Sequence, residues 1–345
     1  MNLQESLEAI RKSHDLPALG MITVLSGKPT PPLVTGVRQY GRKNPAQSQD
    51  AFHLGSDTKA MTATLIGLLI DQGKLTGKTT LGELFADLFP KVHTDWKGIT
   101  VEQLLAHRAG LEKLEPKGKN LLYLHRFTGP LDKQRERWLT ERLTLAPDET
   151  LGKFAYSNAG YTILGMMAER IVKQPWESLI QEHLWKSLGI TGGGFGPPPQ
   201  LWQHLREGSK VVSLAPEEKA DNPPLMAPAG AVHLPLADWA RYVALYTDEA
   251  GGGVLKPETL HWLTSPLLGG NYNGGWNITS RAWAGGAALT HAGSNTMNYC
   301  VAWVAPKKRF AALVATNIAG EAAEKACDEV IGLQIRHYLT PSSSA

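Results

Sequence analysis

At 345 residues the chain is long enough for two lobes around one cleft, and 42% apolar residues supply a substantial core. A formal net charge of +3, with Lys and Arg scattered along the chain, argues against nucleic acid as a partner, which demands a clustered basic footprint. No apolar run reaches the ~18 residues of a membrane span, and neither His-Glu-x-x-His nor paired Cys-x-x-Cys spacing for zinc occurs.

In chain order, Met1 to Arg11 predicts an amphipathic helix, with Leu3, Leu7 and Ile10 at helical spacing. It carries no signal-peptide pattern. The chain as written therefore reads as cytoplasmic, or as periplasmic or secreted if a leader has been removed. Strand candidates Met21 to Leu25 and Leu33 to Tyr40 follow, joined by a Gly-Lys-Pro-Thr-Pro-Pro turn. A short approach, Ala51 to Gly55, leads into a helical pattern from Asp57 to about Gly73. Further helices are predicted over Leu81 to Phe89, Val101 to His107, Leu131 to Leu143, Ala159 to Val172, Trp176 to Leu188 and Leu236 to about Tyr246. Thr191 to Pro199 and Asp221 to Pro235 read as loops.

From Gly274 the apolar period falls to about two. Strands are predicted at Trp276 to Thr279, Ala288 to His291, Met297 to Val304 and Phe310 to Thr316. Lys307-Lys308-Arg309 reads as a hairpin turn, and a helix from about Glu321 to Leu339 closes the pattern. The expected fold is α+β: an antiparallel sheet from both chain ends, flanked by helices, with an all-helical insertion between them. Residues 1–75 and 250–345 would form the sheet lobe and residues 76–249 the helical lobe, with a cleft between them. Cys300 and Cys327 both lie in apolar patterns. Two buried free thiols are the simplest reading, and a single disulfide stays open.

Three motifs carry chemistry. In Ser56-Asp57-Thr58-Lys59, a serine at a helix start faces a lysine one turn on, so Lys59 can take the hydroxyl proton if its own is held off. A chain of this length yields about one Ser-x-x-Lys by chance, and an N-cap serine with a solvated lysine is the bland alternative. In Tyr156-Ser157-Asn158 the phenol can shuttle a proton and the amide can orient a substrate carbonyl, although Asn158 could equally cap a helix starting at Ala159. In His291-Ala292-Gly293-Ser294 at a strand end, Gly293 permits close approach of a substrate. His291 would donate near the nucleophile, and the Ser294 amide could pair with that of Ser56 as an oxyanion donor. A core histidine is the alternative there.

Their order and contexts together resemble the β-lactamase-related serine hydrolases, which include class C β-lactamases, penicillin-binding proteins, D-Ala-D-Ala carboxypeptidases, D-aminopeptidases and β-lactamase-like carboxylesterases. The likeness runs from about Leu16 to Leu339 and includes Leu104-Leu105-Ala106-His107-Arg108-Ala109-Gly110-Leu111 and Pro228-Ala229-Gly230. It implies an acyl-enzyme on Ser56, acid/base work shared by Lys59 and Tyr156, and a substrate carbonyl on Asn158. His291, Gly293 and Ser294 would border the cleft, and no cofactor is implied. His107 and Arg108 read as structural.

The chain departs from class C β-lactamases at His291, where they carry lysine. A neutral imidazole holds a substrate carboxylate less firmly than an ammonium. That shifts the expectation toward a carboxylesterase acting on small esters, with peptidase or amidase next and β-lactamase third; a catalytically silent binding protein is the non-enzyme alternative. Two other classes fail on spacing. No serine lies in Gly-x-Ser-x-Gly, and Gly77-Lys78-Thr79 lacks its P-loop partner because residue 72 is Gln72. Leu121, Leu122 and Trp202, in the segments Leu111 to Arg135 and Thr191 to Asn222, would either line an acyl pocket or pack internally.

Overall fold

The computed structural model describes residues 2–88, 91–111, 121–218, 220–248 and 251–340. Strands β1 (Ala18–Leu25), β2 (Lys28–Pro29) and β3 (Leu33–Gly36) come from the start of the chain. Between them and the late strands lie β4 (Ala51–His53), β5 (Gly194–Phe195), β6 (Gln203–Glu207), β7 (Lys210–Leu214) and β8 (Val232–Pro235). The last five are β9 (Tyr272–Asn273), β10 (Trp276–Arg281), β11 (Gly286–Ser294), β12 (Tyr299–Ala305) and β13 (Phe310–Thr316).

The main sheet runs β2-β1-β13-β12-β11-β10-β9, with β3 also on β1, and its pairs are antiparallel. Strands from both ends of the chain pair in it, Leu19 of β1 with Thr316 of β13 and Leu25 with Phe310. These strands are buried on both faces, so they read as continuous apolar runs with alternating destinations. Ile22, Val24 and Leu313 enter the larger core, while Leu19, Met21 and Val314 enter the smaller one.

The helices are α1 (Leu3–Ser13), α2 (Thr58–Asp71), α3 (Leu81–Leu84), α4 (Val101–Leu105), α5 (Leu121–Leu124) and α6 (Leu131–Leu143). Then come α7 (Asn158–Val172), α8 (Trp176–Leu179), α9 (Ala227–Gly230), α10 (Leu236–Ala244), α11 (Pro257–Leu263) and α12 (Glu321–Leu339). Leu7 of α1 joins Val330 and Ile331 of α12 in the smaller core, over one face of the sheet. Helix α2 is apolar on all sides (Met61, Leu65, Ile66, Leu69) and therefore runs through the larger core, packed on α7 and α9. That places its first turn at the centre of the molecule.

The fold class is the one expected, with local differences. The segments read as loops hold β5 and β8, which form a separate three-stranded sheet with β4 in the order β4-β8-β5, and β6–β7 forms a hairpin. Leu33 to Tyr40 stops being a strand at Gly36, whose φ of 94° turns the chain where a side chain would overlap Pro17 O. The helix expected over Leu81 to Phe89 is shorter: α3 ends at Leu84, residues 85–88 are turn, and Phe89 lies outside the described residues. Trp176 to Leu188 is helical but passes from α8 through a π turn, Ile180–Trp185, into a 3-10 turn, Lys186–Leu188. Arg309, at φ 48°, ends the tight turn between β12 and β13, as the sequence suggests. Both cysteines are free and buried. No described helix is long and apolar enough to cross a membrane.

Candidate active site

Ser56 lies in a 3-10 turn, Gly55–Asp57, between β4 and α2. Two glycines allow the neighbouring strand to touch this turn. Gly55 has φ 47°, and a Cβ there would overlap the backbone of Gly293 and Ser294; a Cβ on Gly293 would overlap Leu54 O. The Leu54-Gly55 and Gly293-Ser294 main chains are therefore held against each other, beside Ser56, at the end of β11.

Lys59, one helical turn on, is fully buried. Its Nζ lies 3.0 Å from Ser56 Oγ, 2.6 Å from Asn158 Oδ1 and 2.7 Å from Ala229 O. Burial holds its amine well below the ordinary lysine value, only partly opposed by the nearby Asp57 carboxylate. Tyr156 stands over this group, with Lys59 Nζ 4.9 Å from its ring centroid. Burial raises the phenol above its ordinary value, and the Ser56 side chain opposes that rise. Asn158 opens α7, but the cap is Ser157, whose Oγ accepts from Gly160 N–H at 3.1 Å. Asn158 is thus released from capping, with its carbonyl oxygen on Lys59. His107 supports the segment: its Nδ1 accepts from Ser157 N–H at 3.0 Å, and its ring packs 4.4 Å from that of Tyr156.

A sequence model of the Beta-lactamase family matches residues 3–335. The chain belongs to that family. It is 24% identical over 296 residues to Penicillin-binding protein 4 of Amycolatopsis lactamdurans, covering 83% of this chain and 74% of that one. It is 27% identical over 185 residues to the D-alanyl-D-alanine-carboxypeptidase/endopeptidase AmpH of Escherichia coli (strain K12), covering 51% of this chain and 46% of AmpH. Its fold superposes on a class C beta lactamase from Rhodobacter sphaeroides with a TM-score of 0.74 and 17% identity, covering 97% of this chain and 99% of that one. The family is one of serine hydrolases with the β-lactamase fold.

Against that family background, His291 corrects an expectation. It does not present a free donor to the cleft. It is 4% exposed, with Nδ1 2.9 Å from Asp57 Oδ1 and Nε2 3.1 Å from Tyr272 OH. Packing of β11 onto the Ser56 turn turns its ring inward, toward a carboxylate that the sequence alone does not connect to it. Residues that sequence reasoning leaves without a role therefore belong to this site: Asp57, Tyr272 and the carbonyl of Ala229. Trp202 bonds through its backbone to Arg38 and Asn317. The Leu121 and Leu122 side chains, and residues 112–120 of the proposed acyl-specificity segment, lie outside what is described. Among the described residues no cluster of three His, Cys, Asp or Glu is arranged to hold a metal ion.

Proposed function

We propose that this Beta-lactamase family member is a serine hydrolase that passes acyl groups through Ser56, with small uncharged esters as preferred substrates. The cleft lies between the sheet lobe (1–75 and 250–345) and the helical lobe (76–249). One observation carries the reading: the enclosed Lys59 amine, 3.0 Å from Ser56 Oγ, with two carbonyl oxygens on its other sides. A neutral amine has two N–H bonds, and Asn158 Oδ1 and Ala229 O accept both. Its lone pair is left for the Ser56 hydroxyl proton.

Ser56 Oγ then attacks the ester carbonyl carbon as its proton passes to Lys59. The oxyanion that forms is met by the N–H groups of Ser56 and Ser294. Tyr156, kept a phenol by burial, hands its proton to the departing alkoxide and is replenished from Lys59. Water then attacks the acyl-enzyme along the reverse proton path, releasing the acid and restoring Ser56.

His291 favours esters over substrates anchored by a carboxylate, because Asp57 and Tyr272 occupy both its ring nitrogens. The likeness to AmpH favours a second reading, a D-amino-acid carboxypeptidase, with β-lactam hydrolysis behind it. The test is hydrolysis of p-nitrophenyl butyrate, a D-alanyl-D-alanine peptide and a chromogenic β-lactam by wild type and Ser56→Ala. Ester turnover abolished in the variant is expected. Turnover of the peptide alone selects the second reading, and a Ser56→Ala variant as active as wild type overturns the assignment of the nucleophile. Wild type silent on all three marks a binding protein on this fold.

A further inference from the structure

One carboxylate with 5% of its side chain exposed is linked by hydrogen bonds, through His53, Asn295 and Asn222, to three segments around Ser56. Asp221 Oδ2 lies 2.9 Å from His53 Nε2, and His53 Nδ1 accepts from Gly55 N–H at 3.0 Å. Those two bonds set the tautomer, with the proton on Nε2 and the lone pair on Nδ1. Asp221 Oδ1 accepts from Asn295 Nδ2 at 2.8 Å and from Asn222 N–H at 2.7 Å. Asn295 follows Ser294, and its Oδ1 closes the turn after β11 by accepting from the N–H groups of Met297 and Asn298. Asn222 Nδ2 donates to Gly230 O at 2.8 Å, next to the Ala229 carbonyl that meets Lys59. His53 is fully buried and Asn295 is 3% exposed, so water does not substitute for these bonds.

We propose that Asp221, His53 and Asn295 are positioning residues that hold the Gly55-Ser56 and Gly293-Ser294 backbones as one paired donor site for the acyl oxyanion. The proposal rests on the serine-hydrolase reading above. None of the three touches the substrate. They act by preventing the turn and the strand end from drifting apart, and the distance between two oxyanion donors is what such a site must fix before the reaction starts.

Two variants separate the contacts. Asp221→Asn keeps an acceptor for His53 but turns an N–H group toward the Asn295 amide, setting donor against donor. His53→Asn keeps an oxygen near the former Nδ1 for Gly55 N–H but gives up the reach to Asp221. Each is compared with wild type in p-nitrophenyl butyrate kinetics and in binding of phenylboronic acid. In that adduct Ser56 Oγ adds to the trigonal boron, its proton passes to Lys59, and a boron-bound oxygen takes the oxyanion position.

For Asp221→Asn, kcat is expected to fall about tenfold to a hundredfold with KM within about twofold, since ground-state binding is untouched. Boronate affinity should weaken in parallel with kcat, and His53→Asn should lose less than Asp221→Asn. Thermal unfolding checks that each variant is folded at the assay temperature. A folded Asp221→Asn or His53→Asn protein with unchanged kcat and unchanged boronate affinity overturns the proposal, as does a loss confined to KM. Those results leave the serine-hydrolase reading standing when wild type is active and Ser56→Ala is not. Wild type silent to both ester and boronate overturns both.

Discussion

A lysine amine with no exposed surface is driven toward its neutral form, and Lys59 shows the consequence in its hydrogen bonds. The sign of the stability effect follows from counting protons. Between its lowered folded-state pKa and the ordinary value of ~10.4, the unfolded chain holds a proton on this amine that the folded chain lacks. Stability therefore rises with pH across that window and is lowest below the folded-state pKa. Lys59→Met removes the titration and leaves Ala229 O without its donor, a loss of about 1–3 kcal/mol at the alkaline end. Urea unfolding of wild type and variant between about pH 6 and 9 should show the wild-type advantage growing with pH. Parallel curves would mean that Lys59 is charged in the folded state. Acylation by Lys59→Met should drop by at least about 10³-fold, while a solvated lysine would lose little.

The elements that carry Ser56 and Ser294 depend on two missing side chains. Gly293 does not need its freedom of φ, which is not positive; it needs the space, because Leu54 O occupies the place of its Cβ. Gly293→Ala should force β11 off the Ser56 turn, costing about 1–3 kcal/mol of stability and about 10²-fold in kcat through misplaced donors. Gly98→Ala is the control, since nothing lies within 4 Å of its Cβ position and its φ is not positive. Thermal unfolding and ester kinetics on both variants decide the matter, and equal behaviour would mean that β11 can retreat without consequence. Elements at this scale are legible in the sequence where periodicity is long. β13 over Phe310–Thr316 and α12 over Glu321–Leu339 coincide with their patterns. β4 falls in the strand-like approach Ala51 to Gly55, but β5 and β8 are not legible, because strands of two to four residues exist only through pairing between distant segments. The hairpin β6–β7 did carry a signal, Gly208-Ser209 between two mixed runs, with Gly208 at φ 61°. Ser56, Lys59, Tyr156 and Asn158 can be singled out because their side-chain chemistry recurs in recognisable local contexts. His53, Asp57, Asp221 and Asn295 cannot, since each acquires its partner only when the chain is folded.

At the scale of the whole molecule, the helical segments must hold Ala229 O against the buried Lys59 amine. A buried ion cluster ties them together. Arg135 of α6, fully buried, meets Glu169 of α7 and Glu177 of α8, and its Nε donates to Leu225 O at 2.9 Å. Leu225 sits in the turn that leads directly into α9 and thus to Ala229. Arg135→Met removes the only cation between two half-buried carboxylates that the described residues show in this cluster. The expected cost is about 3–5 kcal/mol, because the uncompensated charges stay behind. Burial already holds Glu169 above its ordinary value, and Arg135 opposes that rise. Without Arg135 its pKa must climb further, so the folded variant binds a proton that the unfolded chain has released. Stability of Arg135→Met should therefore fall as pH rises from ~5 to ~8 more steeply than that of wild type, whose Glu169 is already raised. The triple variant Arg135→Met, Glu169→Gln, Glu177→Gln should recover most of the loss and flatten the slope. Urea unfolding at both pH values measures this. If the single variant instead loses stability equally at both, the carboxylates are reached by water and the cluster is a surface feature. If it keeps its stability but loses ester turnover, the cluster acts on α9 alone, through Leu225.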